Sequence, residues 1–467
     1  MKYLFLLFST FVFAQQTQSV DFKTANALIT IDPINKSVNG EVIYTFEVLK
    51  PIDTIKIDAQ NMTFYEVELK DKRIPFSSNG KELLLIYPFQ KGKNSVHFLY
   101  EAKPKQTMYF VGSEATDNLQ IWTQGQGKYT SHWFPSFDDV NEKVIFNMNI
   151  SFDSKYQVIS NGILKSKKQD KNNTYWTYQM QNPMSSYLLM LAIGKYDTNT
   201  LKSKSGIPLE LYLDPKDVSK QEPTYRYSKE IFDYLEKEIG VKYPWKIYRQ
   251  VPVSEFLYAG MENTSATLFA TRYVVDSIGF EDKSYTNVNA HELAHQWFGD
   301  KVTCGNWEDI WLHEGFATYA SGLCYQFLRP EWWSRFLSQR INAVVSQPGG
   351  SVWVNDVTNV GRIFNGRLSY AKGAMVLHMI RWKIGDEAFF NALRNYLKDS
   401  DHAYGYALTN HLQTFFENSS GIDLDEFFGD WFYREGFPSY QILWNKTRSG
   451  IHFKIDQTTS HPSNDFF

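Results

Sequence analysis

Two histidines four residues apart, in His291-Glu292-Leu293-Ala294-His295, are the strongest candidates for chemistry in this chain. On a helix, residues i and i+4 share one face about one turn apart, so both imidazoles can reach a single ion. Neutral imidazole suits Zn2+, and a hydrolytic zinc takes three protein ligands and keeps one position for water. Eighteen residues separate His295 from Glu314, in Trp311-Leu312-His313-Glu314-Gly315-Phe316-Ala317, at the start of another expected helix. Glu314 is the candidate third ligand; its neighbour His313 would point elsewhere. Glu292 can act as base toward a water that the ion acidifies, and the expected reaction is hydrolysis. Hydrolysis of a carbonyl needs a donor for the oxyanion. Tyr370, in Ser369-Tyr370-Ala371-Lys372-Gly373-Ala374, is a candidate; taken alone, as one of 29 tyrosines, it also reads as a core residue. Tyr258-Ala259-Gly260-Met261-Glu262-Asn263 offers a carboxylate for a free α-ammonium and a glycine that lets an extended substrate approach the backbone. Taken alone, Glu262 also reads as a solvated loop residue.

These residues must be positioned by two kinds of structure. From about residue 20 to 200 the apolar pattern has period two: Val42, Tyr44, Phe46 and Val48 in one stretch, Val144, Phe146, Met148, Ile150 and Phe152 in another. That alternation predicts half-buried strands, punctuated by turns such as Asn39-Gly40 and Asn161-Gly162, and an all-β domain of sandwich type. After about residue 205 the period becomes helical. Helices are expected at 225–240, 285–299, 314–328, 331–346, 370–384, 386–398, 407–418 and 423–434, with strands near 208–213 and 248–273. Gly299, Gly385 and Gly436 stand where helices would stop. From about 439, strand patterning returns as the opening hairpin of a further β module. The fold class is therefore α+β and multidomain: a β domain over 15–205, a mainly helical metal-binding domain over 206–438, and the start of a β module over 439–467.

Of 467 residues, 48 are basic and 51 acidic, which argues against a nucleic-acid binder that works by counterion release. With 43% hydrophobic residues the chain has material for real cores. No apolar run reaches the eighteen residues of a membrane-spanning helix. Residues 1–14 have the layout of a secretory signal peptide: Lys2, then an apolar stretch to Phe13, with Ala14 last before the cut. Export to periplasm or medium is expected. There Cys304 and Cys324 could pair, or stay apart and buried.

The motifs together resemble the zinc aminopeptidase family typified by aminopeptidase N and leukotriene hydrolase. The resemblance rests on Ala259-Gly260-Met261-Glu262-Asn263, on His291-Glu292-x-x-His295, on Glu314 within Trp307-Glu308-Asp309-Ile310-Trp311-Leu312-His313-Glu314-Gly315, and on Tyr370 in a Tyr-x-Lys-Gly-Ala string. It covers residues 20 to 467. It implies a thermolysin-like metal domain and peptide substrates with a free N-terminus. It implies that His291, His295 and Glu314 bind one zinc, that Glu292 is general base and then proton donor, and that Tyr370 stabilises the oxyanion. Glu262 would hold the α-amine, with Ala259, Gly260 and Met261 facing the substrate. Gln126, in Gln124-Gly125-Gln126-Gly127, would assist at the amine, and Asp309 would orient a ligand from behind.

The chain departs from the family at three places. Ala-Gly stands for Gly-Ala before Met261, Gln126 stands where relatives often have Glu, and the β module ends early. A leukotriene-hydrolase-like epoxide hydrolase, an endopeptidase with the same metal helix, and a zinc-binding relative without turnover are the alternatives. Retention of Glu292 and Tyr370 weighs against the last, and the amine anchors weigh against the endopeptidase.

Overall fold

The computed structural model describes residues 16–116 and 118–466. The proposed leader, residues 1–14, lies outside them. The N-terminal domain is built on a nine-stranded sheet. Its spatial order is Ile163–Asp170, Asn173–Gln179, Lys143–Asp153, Val20–Asp32, Ser37–Val48, Gly92–Ala102, Thr63–Leu69 and Lys72–Arg73, with Met184–Ser185 beside Lys143–Asp153. Val20–Asp32 and Lys143–Asp153 run parallel; the other pairs are antiparallel. The period-two residues behave as their alternation demands. Val42, Tyr44, Phe46 and Val48 are buried while Ile43 between them is exposed, and Val144, Phe146, Met148, Ile150 and Phe152 are buried on Lys143–Asp153. A three-stranded and a four-stranded sheet complete the domain.

The second domain opens on a five-stranded sheet in the order Asp197–Lys202, Pro208–Leu213, Tyr248–Val253, Ala266–Ala270, Gly260–Met261. Asp197–Lys202 corrects the expected boundary at 205. Those residues pair with Pro208–Leu213 across the whole hairpin, so ladder hydrogen bonds tie them to the second domain. Its principal helices are α1 (Ser228–Ile239), α2 (Thr286–His295), α3 (Trp311–Leu328), α4 (Glu331–Val345), α5 (Gly373–Ile384), α6 (Asp386–Lys398) and α7 (Thr409–Ser420). α3 begins three residues before Glu314, which therefore sits inside the first turn. α2 ends at His295, before Gly299. Residues 366–372, ahead of α5, form a π-helical turn that carries Tyr370. Such insertions widen the helix locally and recur at functional sites. Residues 423–434 likewise divide into a short α-helix and a π-helical turn.

Cys304 and Cys324 are buried and unpaired. Pro438–Thr447 and Gly450–Thr459 form the expected hairpin, which pairs only with itself among the described residues. The two domains are joined by buried polar contacts. The Lys143 ammonium donates to the carbonyls of Asp300 and Lys301 at 3.0 and 3.2 Å. The Asn161 amide donates to the Thr264 carbonyl at 2.8 Å, and the Gly162 N–H to the Ser265 hydroxyl at 2.8 Å.

Candidate metal centre and amine-binding cleft

α2 and α3 pack side by side, and three of their side chains converge. The Nε2 atoms of His291 and His295 are 3.1 Å apart, and Glu314 Oε2 lies 3.3 Å from each. Ligand atoms about 2.0–2.1 Å from a tetrahedral zinc lie roughly 3.3 Å from one another. The three atoms therefore already form one face of a zinc tetrahedron, and the donor set of two imidazoles and a carboxylate fits the ion. His295 is oriented from behind by the Phe298 carbonyl, 3.0 Å from its Nδ1, which directs Nε2 at the site. Burial acts to raise the Glu314 carboxyl, but the two histidines beside it prevail and hold it below the usual carboxylate range.

His313 faces away, as expected: its Nε2 accepts from the Cys304 N–H at 2.7 Å. Asp309 does not support a ligand. It accepts from the Thr409 hydroxyl at 2.5 Å, and that hydroxyl accepts from the Trp311 indole at 2.8 Å. One residue ahead of Ile310, Asp309 points along the base of α3 toward α7 and anchors the helix there.

Glu292 is buried beside this centre, and burial before all else pushes its carboxyl well above the usual range. A bound divalent ion would oppose that shift. Glu262, Glu292 and His295 each bring one atom into a common cluster. The Glu262 carboxyl is pushed up to about 7, chiefly by burial, and the Tyr187 hydroxyl of the N-terminal domain bonds it. The Gln126 amide donates to Glu314 Oε1 at 3.2 Å and reaches Glu262 Oε1 at 3.5 Å. Its loop is made tight by two glycines. A Cβ at Gly125 would meet the Tyr187 carbonyl at 2.6 Å, and Gly127 has φ +91°. The Tyr370 ring stacks on His291 with centroids 5.8 Å apart, and its hydroxyl bonds Glu314.

A cavity of about 560 Å³ joins these groups and is lined by Gln126, Ala259, Gly260, Glu262, Glu292 and Tyr370 together with the three ligands. Met261 stands apart from the other expected substrate-facing residues. Its side chain is fully buried, with Sδ 3.6 Å from the Gln124 amide nitrogen. Alternation along the short strand Gly260–Met261 turns it inward as Gly260 faces the cleft. Two features escaped the sequence reading. Tyr187 is one of many tyrosines and lies 75 residues from Glu262, so no local signal marked it. Gly315 and Gly373 touch, a Cβ on Gly315 falling 3.1 Å from the Gly373 carbonyl carbon. Each glycine follows a site residue closely, and their contact brings Tyr370 to Glu314.

Comparison with known proteins places this arrangement. The Peptidase M1 N-terminal domain profile matches residues 21–188, and the Peptidase family M1 domain profile matches residues 224–431. A leucyl aminopeptidase of Saccharolobus solfataricus is 27% identical over 84% of this chain and 51% of its own length. An aminopeptidase N of Lactobacillus helveticus is 25% identical over 88% of this chain and 50% of its own. A glutamyl aminopeptidase of Bos taurus is 29% identical over 69% and 35%. The chain thus spans about half the length, or less, of the curated relatives it matches. Among solved structures, an M1 zinc metallopeptidase from Deinococcus radiodurans shares the fold, with a TM-score of 0.74 at 19% identity over 87% of this chain and 92% of that one. The same protein has been solved bound to a Tyr-Ser-Ala substrate, with the same fold similarity to this chain.

Proposed function

Because the chain belongs to peptidase family M1, with both of its domains present in order, we propose that it is a zinc aminopeptidase that removes N-terminal residues from peptides. The observation that carries this reading is the shared cavity of the zinc triad, Glu292 and two amine-directed groups, Glu262 and Gln126. Zinc held by His291, His295 and Glu314 would supply a Lewis acid and make water a nucleophile near neutral pH.

The chain's own groups account for the remaining steps. Glu262 holds the substrate ammonium by charge, aided by the Gln126 side chain, which fixes the first peptide bond over the triad. Glu292 takes the proton of the attacking water and returns it to the leaving amine. The Tyr370 hydroxyl turns from Glu314 to the developing oxyanion and donates to it. An ammonium anchor beside the triad favours the terminal peptide bond over internal ones. Residues 1–14 support export to periplasm or medium, which sequencing the N-terminus of secreted protein tests.

The decisive experiment is hydrolysis of leucyl and alanyl anilides, with and without chelator, beside the acetylated substrates and Glu292→Gln. Chelator-sensitive release, absent for acetylated substrate and lost in Glu292→Gln, is expected. Equal release from acetylated substrate would replace this reading with an endopeptidase.

A further inference from the structure

The cleft does not end at the metal ligands. Asn287 lies one turn before His291 on α2, and Thr318 and Ser321 lie one and two turns after Glu314 on α3; all three line the cavity. The Asn287 amide donates to the Ser321 hydroxyl at 3.2 Å, so this end has a polar floor. Glu262 and Gln126 cluster instead around His295 and Glu314. A peptide with its ammonium at Glu262 and its first carbonyl over the triad must therefore run its leaving portion toward Asn287 and Ser321.

That end contains a cation with no carboxylate partner among the described residues. Arg340, on α4, lines the cavity. Its guanidinium carbon is 5.3 Å from the centre of the Phe336 ring, one turn earlier on the same helix. Its Nε is buried without a hydrogen-bond partner. Its titratable neighbours are Tyr325 and His291, and among the described residues no carboxylate pairs with it. Tyr325 in turn bonds Asn287, which places Arg340 at the far end of the cleft. A guanidinium withdrawn from water without a counter-ion is costly, and its planar fork matches a carboxylate bidentately.

We propose that Arg340 binds a carboxylate on the leaving portion of the substrate, supplied by an acidic side chain at the second residue or by the C-terminus of a dipeptide. This rests on the aminopeptidase reading and adds a specificity determinant to it. The ion pair would form inside a partly dehydrated cleft, where a single charge-assisted bidentate contact is worth about tenfold or more in discrimination.

The test compares kcat/KM of the zinc-loaded full chain on two pairs, Leu-Glu-amide with Leu-Gln-amide, and Leu-Ala with Leu-Ala-amide. At least one pair is expected to favour the carboxylate about tenfold. In Arg340→Gln that ratio should fall near one, in Arg340→Lys it should be retained in part, and in Arg335→Gln, exposed on the same helix, it should persist. The first pair reports the side chain and the second the terminus. Ratios near one in the parent, or ratios that Arg340→Gln leaves unchanged, overturn the proposal. If none of the four peptides is cleaved, the aminopeptidase reading fails instead. Calorimetric binding of the same peptides to Glu292→Gln then still decides whether the carboxylate preference depends on Arg340.

Discussion

A Cβ placed on Gly260 would lie 2.4 Å from Glu292 Oε1. The glycine two residues before Glu262 therefore makes room for the carboxylate of Glu292, 32 residues later in the chain. Gly260 lines the cleft, as its place before Glu262 suggested, but its most constrained neighbour is a protein group. Its φ does not require glycine, so the constraint is one of space. Gly260→Ala should fold with a Tm within a few degrees of the parent and lose about 10²-fold or more in kcat, because general-base catalysis is worth about 10²–10⁴ and depends on the position of the base. Kinetics beside thermal melts check this; unchanged kcat would mean that Glu292 has space to move aside.

Three ligands from two helices, converging at 3.1–3.3 Å, make the metal part of the fold. Removing it leaves two imidazoles and a carboxylate buried together without the ion that would tie them. Chelation should lower Tm, and zinc should restore it at one ion per chain. Metal analysis with calorimetry is the measurement. His295→Ala should abolish the response, whereas His313→Ala should retain bound zinc, since His313 faces the Cys304 N–H.

Tyr370→Phe removes only the hydroxyl, leaving the ring that stacks on His291. Loss of one oxyanion donor costs about 10²–10³ in kcat. The expected result is such a loss with zinc content unchanged and KM little altered. A tyrosine that merely filled the core would show a loss of stability in place of the loss of rate.

Glu142 gives a pH signature away from the site. It is buried, accepts from the Phe22 N–H at 3.2 Å, and burial first, with Asp21 second, pushes its carboxyl up to about 9. Below the unfolded value of 4.5 both states hold the proton and there is no cost. Between 4.5 and about 9 the unfolded chain releases a proton that the folded chain keeps, so stability declines as pH rises across that window. Glu142→Gln keeps an acceptor for Phe22 and removes the titration. It should melt with the parent at pH 4 and above it at pH 8, by on the order of 5 kcal/mol. Parallel melting curves at the two pH values would show that the carboxyl ionises without penalty.

Much of this protein could be read locally because the relevant periods are local. Alternation along Glu41–Val48 assigned the buried face of a strand before any partner strand was known. The four-residue spacing of His291 and His295 requires only a helix to bring two imidazoles together. Glu314 and the order of the two domains were legible from spacing and period, with resemblance supplying the roles of Glu262 and Gln126. Boundaries were less legible. Asp197–Lys202 is strand by pattern, but the sheet it joins is settled by pairing with Pro208–Leu213.

The sequence by itself determined which residue types gather at the centre and the helix that spaces two of the metal ligands. Only the tertiary structure decided that Met261 turns inward, that Asp309 serves Thr409, that Tyr187 crosses from the other domain to Glu262, and that Arg340 has no carboxylate partner among the described residues at the end of the cleft. The physical reason is the range of the interactions. Helix and strand periods act over a few residues, whereas contacts such as Gly315 with Gly373 or Gly260 with Glu292 exist only after whole elements have packed. Their identity depends on where the backbones cross, and no short stretch of sequence records that.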